Sequence, residues 1–259
     1  MRLKYLLLIL VLLSSIVYAN DGLEEENTYY IEFIIASCII ITIISVYSVK
    51  SKKLNNKKKI LLFTLICLSA IFTTVYLSYS TISLNINSVT KGPVHWHTDF
   101  EIWACGQKLD LNDPVGFFNR VGTPLLHEHN DDRIHIEGVV TELEDISLGN
   151  FFKVINLEVE DDHLHLIDVK LGDIIFNECK NKKAKSQVFL YKVKNPEDYK
   201  KWKFKQTKLE NYKEYIVSGY SQVPPGDCII IDFDEDKQQT NHICETYKVG
   251  IKKGELSGS

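Results

Sequence analysis

The sequence predicts an α+β fold, in which two apolar helices precede a soluble domain with a mainly antiparallel sheet and one or two short helices. Three observations predict it. Two apolar stretches, residues 33–49 and 60–79, have the length and composition of membrane-spanning helices. From residue 94 onward, short strand-like runs alternate with turn residues. Few helical patterns interrupt these runs, which is typical of α+β domains.

The first 19 residues have the pattern of a signal peptide. Arg2 and Lys4 form a basic start, an apolar run follows at residues 6–13, and Ala19 is a small residue at the expected cleavage position. The apolar run is shorter than the roughly 20 residues that a spanning helix needs. We therefore predict a signal peptide at residues 1–19, with an uncleaved anchor as the alternative.

The lysine-rich stretch between the two apolar segments orients the chain. Residues 50–59 contain six lysines, and short loops rich in lysine lie on the cytoplasmic side of a membrane. This places residues 80–92, predicted as a tether, and a domain at residues 93–253 on the extracytoplasmic side. The orientation is the same whether or not the first segment is cleaved. The net charge of −4 gives no reason to expect nucleic acid as a partner.

Five of the eight histidines fall in one stretch of the predicted domain. They form two His-x-His pairs, His95/His97 and His127/His129, followed by His135. One such pair arises easily on any polar strand face. Two pairs and a fifth histidine so close together are much harder to reach by chance, so this stretch is the candidate functional site.

Strand alternation predicts which of these side chains share a face. In residues 96–104 the apolar residues Trp96, Phe100, Ile102 and Ala104 fall on one parity, and His95 and His97 fall on the other. Residues 133–137 repeat the split, because Ile134 and Ile136 alternate with polar residues. Three histidines with an open position suit zinc, and imidazole also suits copper. The predicted metal ligands are His95, His97, His127, His129, His135 and Glu137.

Several acidic residues accompany the histidines. Asp99 and Glu101 share the parity of His95 and His97, which makes them candidates for outer partners that orient the ligands. The alternative interpretation is that the histidines bind no metal and only cap loops or pair with these carboxylates.

Turn signals and short periodic runs predict the remaining elements of the domain. Cys105-Gly106 predicts a hairpin within residues 99–111. Residues 145–155 predict a helix capped by Asp145. Residues 240–248 predict a closing helix, and residues 254–259 predict a loose tail. Further strands are predicted at residues 133–140, 164–169, 187–193 and 228–233.

The six cysteines divide into two groups. Cys38 and Cys67 lie inside the apolar segments, where they behave as small apolar residues. The other four lie in the part predicted to be extracytoplasmic, where an oxidising environment favours two disulfides. Four cysteines allow three connectivities, of which we favour Cys105–Cys179 and Cys228–Cys244. Four buried thiols are the alternative.

Three other polar features are weaker candidates. His163 and His165 repeat the His-x-His spacing, but we interpret them as a solvated strand face with Leu164 and Leu166 buried. His242 has no evident partner. The acidic run at residues 232–236 lacks the glycine and the glutamate that a calcium-binding EF-hand loop requires, so we interpret it as a polar turn.

Two resemblances follow from these motifs. The run His95-Trp-His-x-x-x-Glu101 is similar to the first half of the cupin metal motif over seven residues, which implies a metal-dependent oxygenase as one possibility. Residues 94–155 resemble uncharacterised membrane-anchored or secreted domains of archaea and small-genome bacteria. These domains share an HxH hairpin, a second HxH, an IHxE strand and an LGxFF helix. That resemblance implies a small α+β domain and brings no established activity.

Three functional hypotheses follow. The first is a membrane-anchored extracytoplasmic domain that binds zinc or copper, for metal capture, metal handover or structural stabilisation. The second is a metal-dependent enzyme, a hydrolase or a cupin-like oxygenase, that uses an open three-histidine site. The third is a cell-surface interaction module. A closed four-ligand site favours the first hypothesis, and an open site favours the second.

Overall fold

The computed structural model describes residues 25–51, 53–111, 119–168, 170–198, 201–217 and 225–258. The predicted signal peptide at residues 1–19 lies outside these ranges. The chain divides into two compact units, the first ending at Ile86 and the second running from Asn87 to Ser259.

Two helices of the first unit are long and apolar enough to cross a membrane. Helix α1 spans Glu25–Lys50 and helix α2 spans Asn56–Asn87. They include the two spanning segments predicted at residues 33–49 and 60–79. A hydrogen bond connects the two helices: the Thr73 hydroxyl donates to Ser37 Oγ over 2.9 Å. Most of their large apolar side chains are exposed, as expected for helices that face lipid.

The stretch predicted as a tether, residues 80–92, divides between the two units. Helix α2 continues to Asn87, and the residues that follow belong to the second unit. The backbone N–H of Val89 donates to the carbonyl of Val140 over 2.9 Å. The Thr90 hydroxyl accepts from the N–H of Val140 over 3.2 Å. These hydrogen bonds connect residues 89 and 90 to Val140 within the second unit.

The second unit contains fourteen strands and two α-helices in the part that the structure describes. The strands are β1 (Pro93–Ala104), β2 (Gln107–Leu109), β3 (Val121–Gly122), β4 (Leu126–Glu128), β5 (Arg133–Val139), β6 (Glu158–Glu160), β7 (His163–Asp168), β8 (Gly172–Phe176), β9 (Glu178–Cys179), β10 (Lys182–Lys183), β11 (Lys185–Val193), β12 (Trp202–Leu209), β13 (Cys228–Asp234) and β14 (Leu256–Gly258). The helices are α3 (Leu148–Val154) and α4 (Glu245–Lys253), and short 3₁₀ turns lie at Leu143–Ile146 and Tyr212–Glu214.

The main sheet has nine strands in the order β14-β12-β11-β13-β1-β5-β4-β3, with β2 paired to β1. Most pairs are antiparallel, and the pairs β1/β13 and β12/β14 are parallel. Strands β6, β7 and β8 form a second sheet, and β9 and β10 form a hairpin. The α+β class is therefore confirmed. The strands predicted at residues 133–140, 164–169, 187–193 and 228–233 are present as β5, β7, β11 and β13.

Apolar cores lie on both faces of the main sheet. On the first face, Phe100, Ile134 and Ile136 pack with α3 and with the small sheet. On the second face, residues of β11, β12 and β13 pack beneath α4 around the fully buried Tyr247. The histidine side chains lie on this second face. Alternation along β1 places His95 and His97 on the same side of the sheet as Trp103, which packs against the second core.

The predicted helix at residues 145–155 is divided into two elements. A 3₁₀ turn ends at Ile146, and α3 begins after Ser147. Ser147 Oγ accepts from the N–H of Asn150 over 3.2 Å, so Ser147 is the helix cap rather than Asp145. Asp145 instead accepts from the N–H of Glu142 over 3.0 Å and closes the preceding turn.

Phe151 anchors α3 in the first core. Its side chain is fully buried, and its ring lies 5.1 Å from that of Phe100 on β1. We expect Phe151→Ala to lower the free energy of unfolding by about 3–5 kcal/mol, because it removes buried apolar surface and leaves a cavity. The measurement is chemical unfolding of the full chain in mild detergent. The control is Leu143→Ala, whose side chain is half exposed and whose loss should change the free energy by less than about 0.5 kcal/mol. If the two substitutions lowered the free energy of unfolding equally, the side chain of Phe151 would not be packed in the core as described.

The closing helix and the C-terminal tail both differ from the prediction. The closing helix spans Glu245–Lys253 rather than residues 240–248, because the backbone is not helical until after Cys244. The predicted tail at residues 254–259 contains β14, which pairs in parallel with β12. Leu256 is buried against Gly250, which holds this last strand on the second core.

The predicted hairpin and both favoured disulfides are confirmed. Cys105 and Gly106 connect β1 and β2 with φ angles of 54° and 81°, a left-handed conformation typical of tight hairpins. Cys105 is bonded to Cys179 on β9, and Cys228 on β13 is bonded to Cys244 before α4. The first disulfide links two hairpins, and the second fixes the start of α4 to the main sheet.

Candidate metal centre

Three neighbouring strands bring three histidines into one row. His97 on β1 lies directly opposite His135 on β5, and His127 on β4 lies opposite His135 from the other side. Residues directly opposite each other in a sheet point to the same face. The row therefore follows from the register of β1, β5 and β4, and it places imidazoles from separate segments in contact. Ring centroids of His97 and His135 are 4.6 Å apart.

The other predicted ligands flank this row. His95 lies opposite Glu137, one step along the same face, and His95 Nε2 is 3.2 Å from Glu137 Oε1. His129 follows β4 immediately, and its ring lies 4.8 Å from that of His135. The fold thus brings together all six side chains that the sequence predicts as ligands.

Each His-x-His pair has the spacing of a chelate. The Nε2 atoms of His95 and His97 are 3.0 Å apart, and so are those of His127 and His129. Two imidazole nitrogens bound to one tetrahedral zinc at about 2.0–2.1 Å lie roughly 3.3 Å from each other. Small rotations of the rings are enough to place an ion between the two nitrogens of either pair.

The donor atoms form two overlapping groups whose members all lie within 4.8 Å of one another. One group contains His95, His97 and His135, and the other contains His127, His129, His135 and Glu137. His135 belongs to both groups. The two His-x-His pairs fall in different groups, although they share one face of the sheet.

Hydrogen bonds to the outer ring nitrogens orient two of the imidazoles. His129 Nδ1 is 2.8 Å from the carbonyl oxygen of Asn119, which only accepts, so Nδ1 carries the proton and Nε2 keeps its lone pair. His135 Nε2 lies 3.2 and 3.1 Å from the two carboxylate oxygens of Asp131. Donation to that carboxylate leaves the lone pair of His135 on Nδ1, which is buried and has no hydrogen-bond partner among the residues that the structure describes. Such outer partners are typical of metal-binding histidines.

Burial keeps His127 in the form that binds metal. Desolvation, together with the neighbouring His129, lowers the pKa of His127 to about 4. Its imidazole is therefore neutral at physiological pH, and neutral imidazole is the ligand form. Burial acts to raise the pKa of the Asp131 carboxyl, but the hydrogen bond from His135 and the charges of His135, Arg133 and His129 together lower it, so Asp131 is ionised.

Asp99 and Glu101, predicted as outer partners of the histidines, contact other residues instead. Asp99 accepts from Arg133 Nε over 2.8 Å and from the Thr246 hydroxyl. Glu101 is buried and accepts from Trp103 Nε1 over 2.9 Å. These residues share the face of the histidines, but α4 covers that part of the face.

Asp131 and the carbonyl of Asn119 are the outer partners that the sequence reasoning missed. Asp131 lies four residues before His135, in the turn at residues 130–132 that precedes β5. An acidic turn residue this close to a predicted ligand was the only available signal. The backbone carbonyl of Asn119 left no signal in the sequence.

The remaining histidines lie elsewhere. Leu164 and Leu166 are buried as predicted. His165 contacts Glu158 and Asp173 at 3.1 and 2.7 Å, so this pair forms hydrogen bonds with acidic residues on the small sheet. His242, for which we predicted no partner, stacks on Trp103 with ring centroids 3.6 Å apart.

The acidic run at residues 232–236 forms ion pairs with lysines. Lys237 lies 2.8 Å from Asp232 and 3.0 Å from Asp234, and Asp236 lies 2.8 Å from Lys208. These lysines neutralise the carboxylates, which agrees with a polar turn.

Gly122 on β3 lies against the strand that carries His127. A Cβ atom at this position would lie 2.5 Å from the carbonyl oxygen of Leu126 and 3.0 Å from His127 Cα, and the φ angle is +112°. We expect Gly122→Ala to lower the free energy of unfolding by about 1–3 kcal/mol and to weaken metal binding, because β4 must move. Calorimetric titration with zinc measures the binding. Gly172→Ala, with a φ angle of +77° and no atom within 4 Å of the added Cβ, is the control and should leave the affinity unchanged. A Gly122→Ala chain that binds zinc with unchanged affinity would show that metal binding does not depend on the position of β4.

Comparison with models of protein families, with curated proteins and with solved structures found no match.

Proposed function

We propose that this chain is a membrane-anchored protein whose extracytoplasmic domain binds zinc or copper for capture and handover. The observation that carries the proposal is the row of His97, His135 and His127 across three adjacent strands, flanked by two further histidines and Glu137. Neutral imidazole and carboxylate donors without thiolates suit zinc and divalent copper.

Exposure on one side of the cluster supports exchange over a purely structural role. The side chains of His95 and Glu137 are 63% and 39% exposed, whereas that of His135 is 9% exposed. An ion held there meets solvent on one side and the sheet on the other. The domain also has two apolar cores and two disulfides, so its fold does not depend on a metal for a core.

The extracytoplasmic placement rests on three independent features. Two helices are long and apolar enough to cross a membrane. A lysine-rich loop connects them, and such loops lie in the cytoplasm. Both disulfides lie after the second helix, and disulfides persist in oxidising compartments. The lysine-rich loop and the two disulfides support the same orientation.

A second candidate function is metal-dependent hydrolysis. The group of His95, His97 and His135 supplies three imidazoles, which leaves the fourth position of a tetrahedral zinc for water. Zinc-dependent cleavage of phosphate or carboxylic esters by the full chain, abolished by His97→Ala, would favour this candidate. Absence of turnover across such substrates would leave binding and handover as the function.

Elemental analysis tests the binding proposal. The full chain is purified in mild detergent through a tag without histidines, stripped with a chelator, dialysed against zinc or copper, and measured for bound metal. We expect at least one tightly bound ion per chain. The variant His163→Ala/His165→Ala removes a His-x-His pair outside the cluster and should retain the full metal content. A stripped chain that takes up no metal would overturn the proposal.

Reporter fusions test the orientation. Alkaline phosphatase folds only in an oxidising compartment, and we expect it to be active when it is fused after Gly258 and inactive when it is inserted into the lysine-rich loop. The opposite pattern would place the domain in the cytoplasm and remove the extracytoplasmic part of the proposal.

A further inference from the structure

We propose that the histidine cluster holds two metal ions side by side, one on each His-x-His pair, with Glu137 between them. This inference rests on the proposed function and specifies the stoichiometry and the arrangement of the site.

The number of donors exceeds what one ion takes. Five imidazoles and one carboxylate converge on the same face, whereas zinc in proteins is almost always four-coordinate. The two chelating pairs also fall in different groups of donor atoms, so the tightest sets of donors each contain only one pair. An ion on His95 and His97 leaves His127 and His129 available for another.

His135 cannot serve both ions as a neutral imidazole. Its Nε2 faces both carboxylate oxygens of Asp131, at 3.2 and 3.1 Å. Only Nδ1 then has a lone pair to donate, and one lone pair binds one ion. The group that does not receive His135 needs another donor.

Glu137 meets this need because it lies between the groups. Its Oε1 atom is 3.2 Å from His95 Nε2, in the first group, and the carboxylate is itself a member of the second group. Oε1 is also 3.7 Å from His135 Nδ1. A carboxylate has two oxygens and several lone pairs, so it can bridge two ions. In two-metal sites the ions lie roughly 3.5–4 Å apart.

Charge in and around the cluster agrees with two cations. Glu137 lies between the pairs, and Asp131 lies behind His135. The repulsion between two divalent ions falls as the inverse of the distance between them. The negative charges of the two carboxylates offset part of this repulsion.

Copper titration of the full chain in mild detergent tests the inference. We expect elemental analysis to give two copper ions per chain. The variants His95→Ala/His97→Ala and His127→Ala/His129→Ala should each retain one ion, and His163→Ala/His165→Ala should retain two. A loss of one ion in this last variant would place the second ion on the small sheet and overturn the inference.

Electron paramagnetic resonance supplies a second readout that reports the distance between the ions. Two Cu²⁺ ions at the distance of a binuclear site couple magnetically, so the spectrum of the fully loaded chain should lose the isolated Cu²⁺ signal and show a half-field transition. The isolated signal should return when only one pair remains. One ion per chain with an uncoupled signal would overturn the two-ion arrangement and leave the proposed function standing. A chain that binds no copper and no zinc would overturn both.

Discussion

Replacing His135 with alanine is expected to lower the affinity of the chain for zinc by at least about 100-fold. Loss of an outer partner of a metal ligand already costs about 10–100-fold, and His135 belongs to both groups of donor atoms. Its ring also contacts the rings of His97 and His127 on the two adjacent strands. Among the described histidines of the cluster, His135 alone has ring contacts with both His-x-His pairs.

The measurement is a competition titration of zinc against a chromogenic chelator, with the full chain in mild detergent. His165→Ala is the matched control, because it removes a hydrogen-bonded histidine from a strand of the small sheet. That variant should bind zinc as the unaltered chain does. Near-ultraviolet circular dichroism verifies that both variants are folded. A folded His135→Ala chain with unchanged affinity would show that the row of imidazoles is not the binding site.

Removing the Cys105–Cys179 disulfide is expected to lower the free energy of unfolding by about 4 kcal/mol. The bond joins residues separated by 74 positions, and the stabilisation from constraining the unfolded chain grows with the length of the closed loop. The Cys228–Cys244 bond closes only 16 positions, for which the same reasoning gives about 3 kcal/mol.

Chemical unfolding of the double serine variants measures both values. Cys105→Ser/Cys179→Ser should unfold at lower denaturant concentration than the unaltered chain, and reduction of the unaltered chain should have an effect at least as large. Serine at the fully buried Cys228 position adds the burial of an unpaired hydroxyl, so we compare that pair also as alanines. Variants as stable as the unaltered chain would mean that the bonds do not form in the protein.

Alternation along single strands made much of the cluster predictable. The spacing of His95 and His97 against Trp96 and Phe100 assigns a face to β1, and the same pattern assigns His135 to one face of β5. What alternation cannot supply is register. The pairing of His127 with His135 depends on the turn between β4 and β5 and on contacts between strands, which no local pattern encodes.

The incorrect predictions concern residues whose structure depends on contacts with elements that are distant in the sequence. Asp99 and Glu101 have the correct parity, but α4 packs over their part of the sheet and gives them other partners. The helix predicted at residues 240–248 begins only after Cys244, whose backbone is not helical and whose sulfur is bonded to Cys228 on β13. Residues 254–258 carry no strand pattern of their own and become a strand because the edge of β12 is open to them.

X-ray absorption of the zinc-loaded or copper-loaded full chain tests the central claim most directly, because it reports the atoms bound to the metal. Imidazole rings add a characteristic scattering pattern beyond the first coordination sphere. Five imidazoles, from the row of His97, His135 and His127 and from the flanking His95 and His129, are shared between two ions. They predict two to three imidazole nitrogens per ion at about 2.0–2.1 Å. A spectrum with oxygen ligands alone and no imidazole scattering would show that the metal binds elsewhere and would contradict the account.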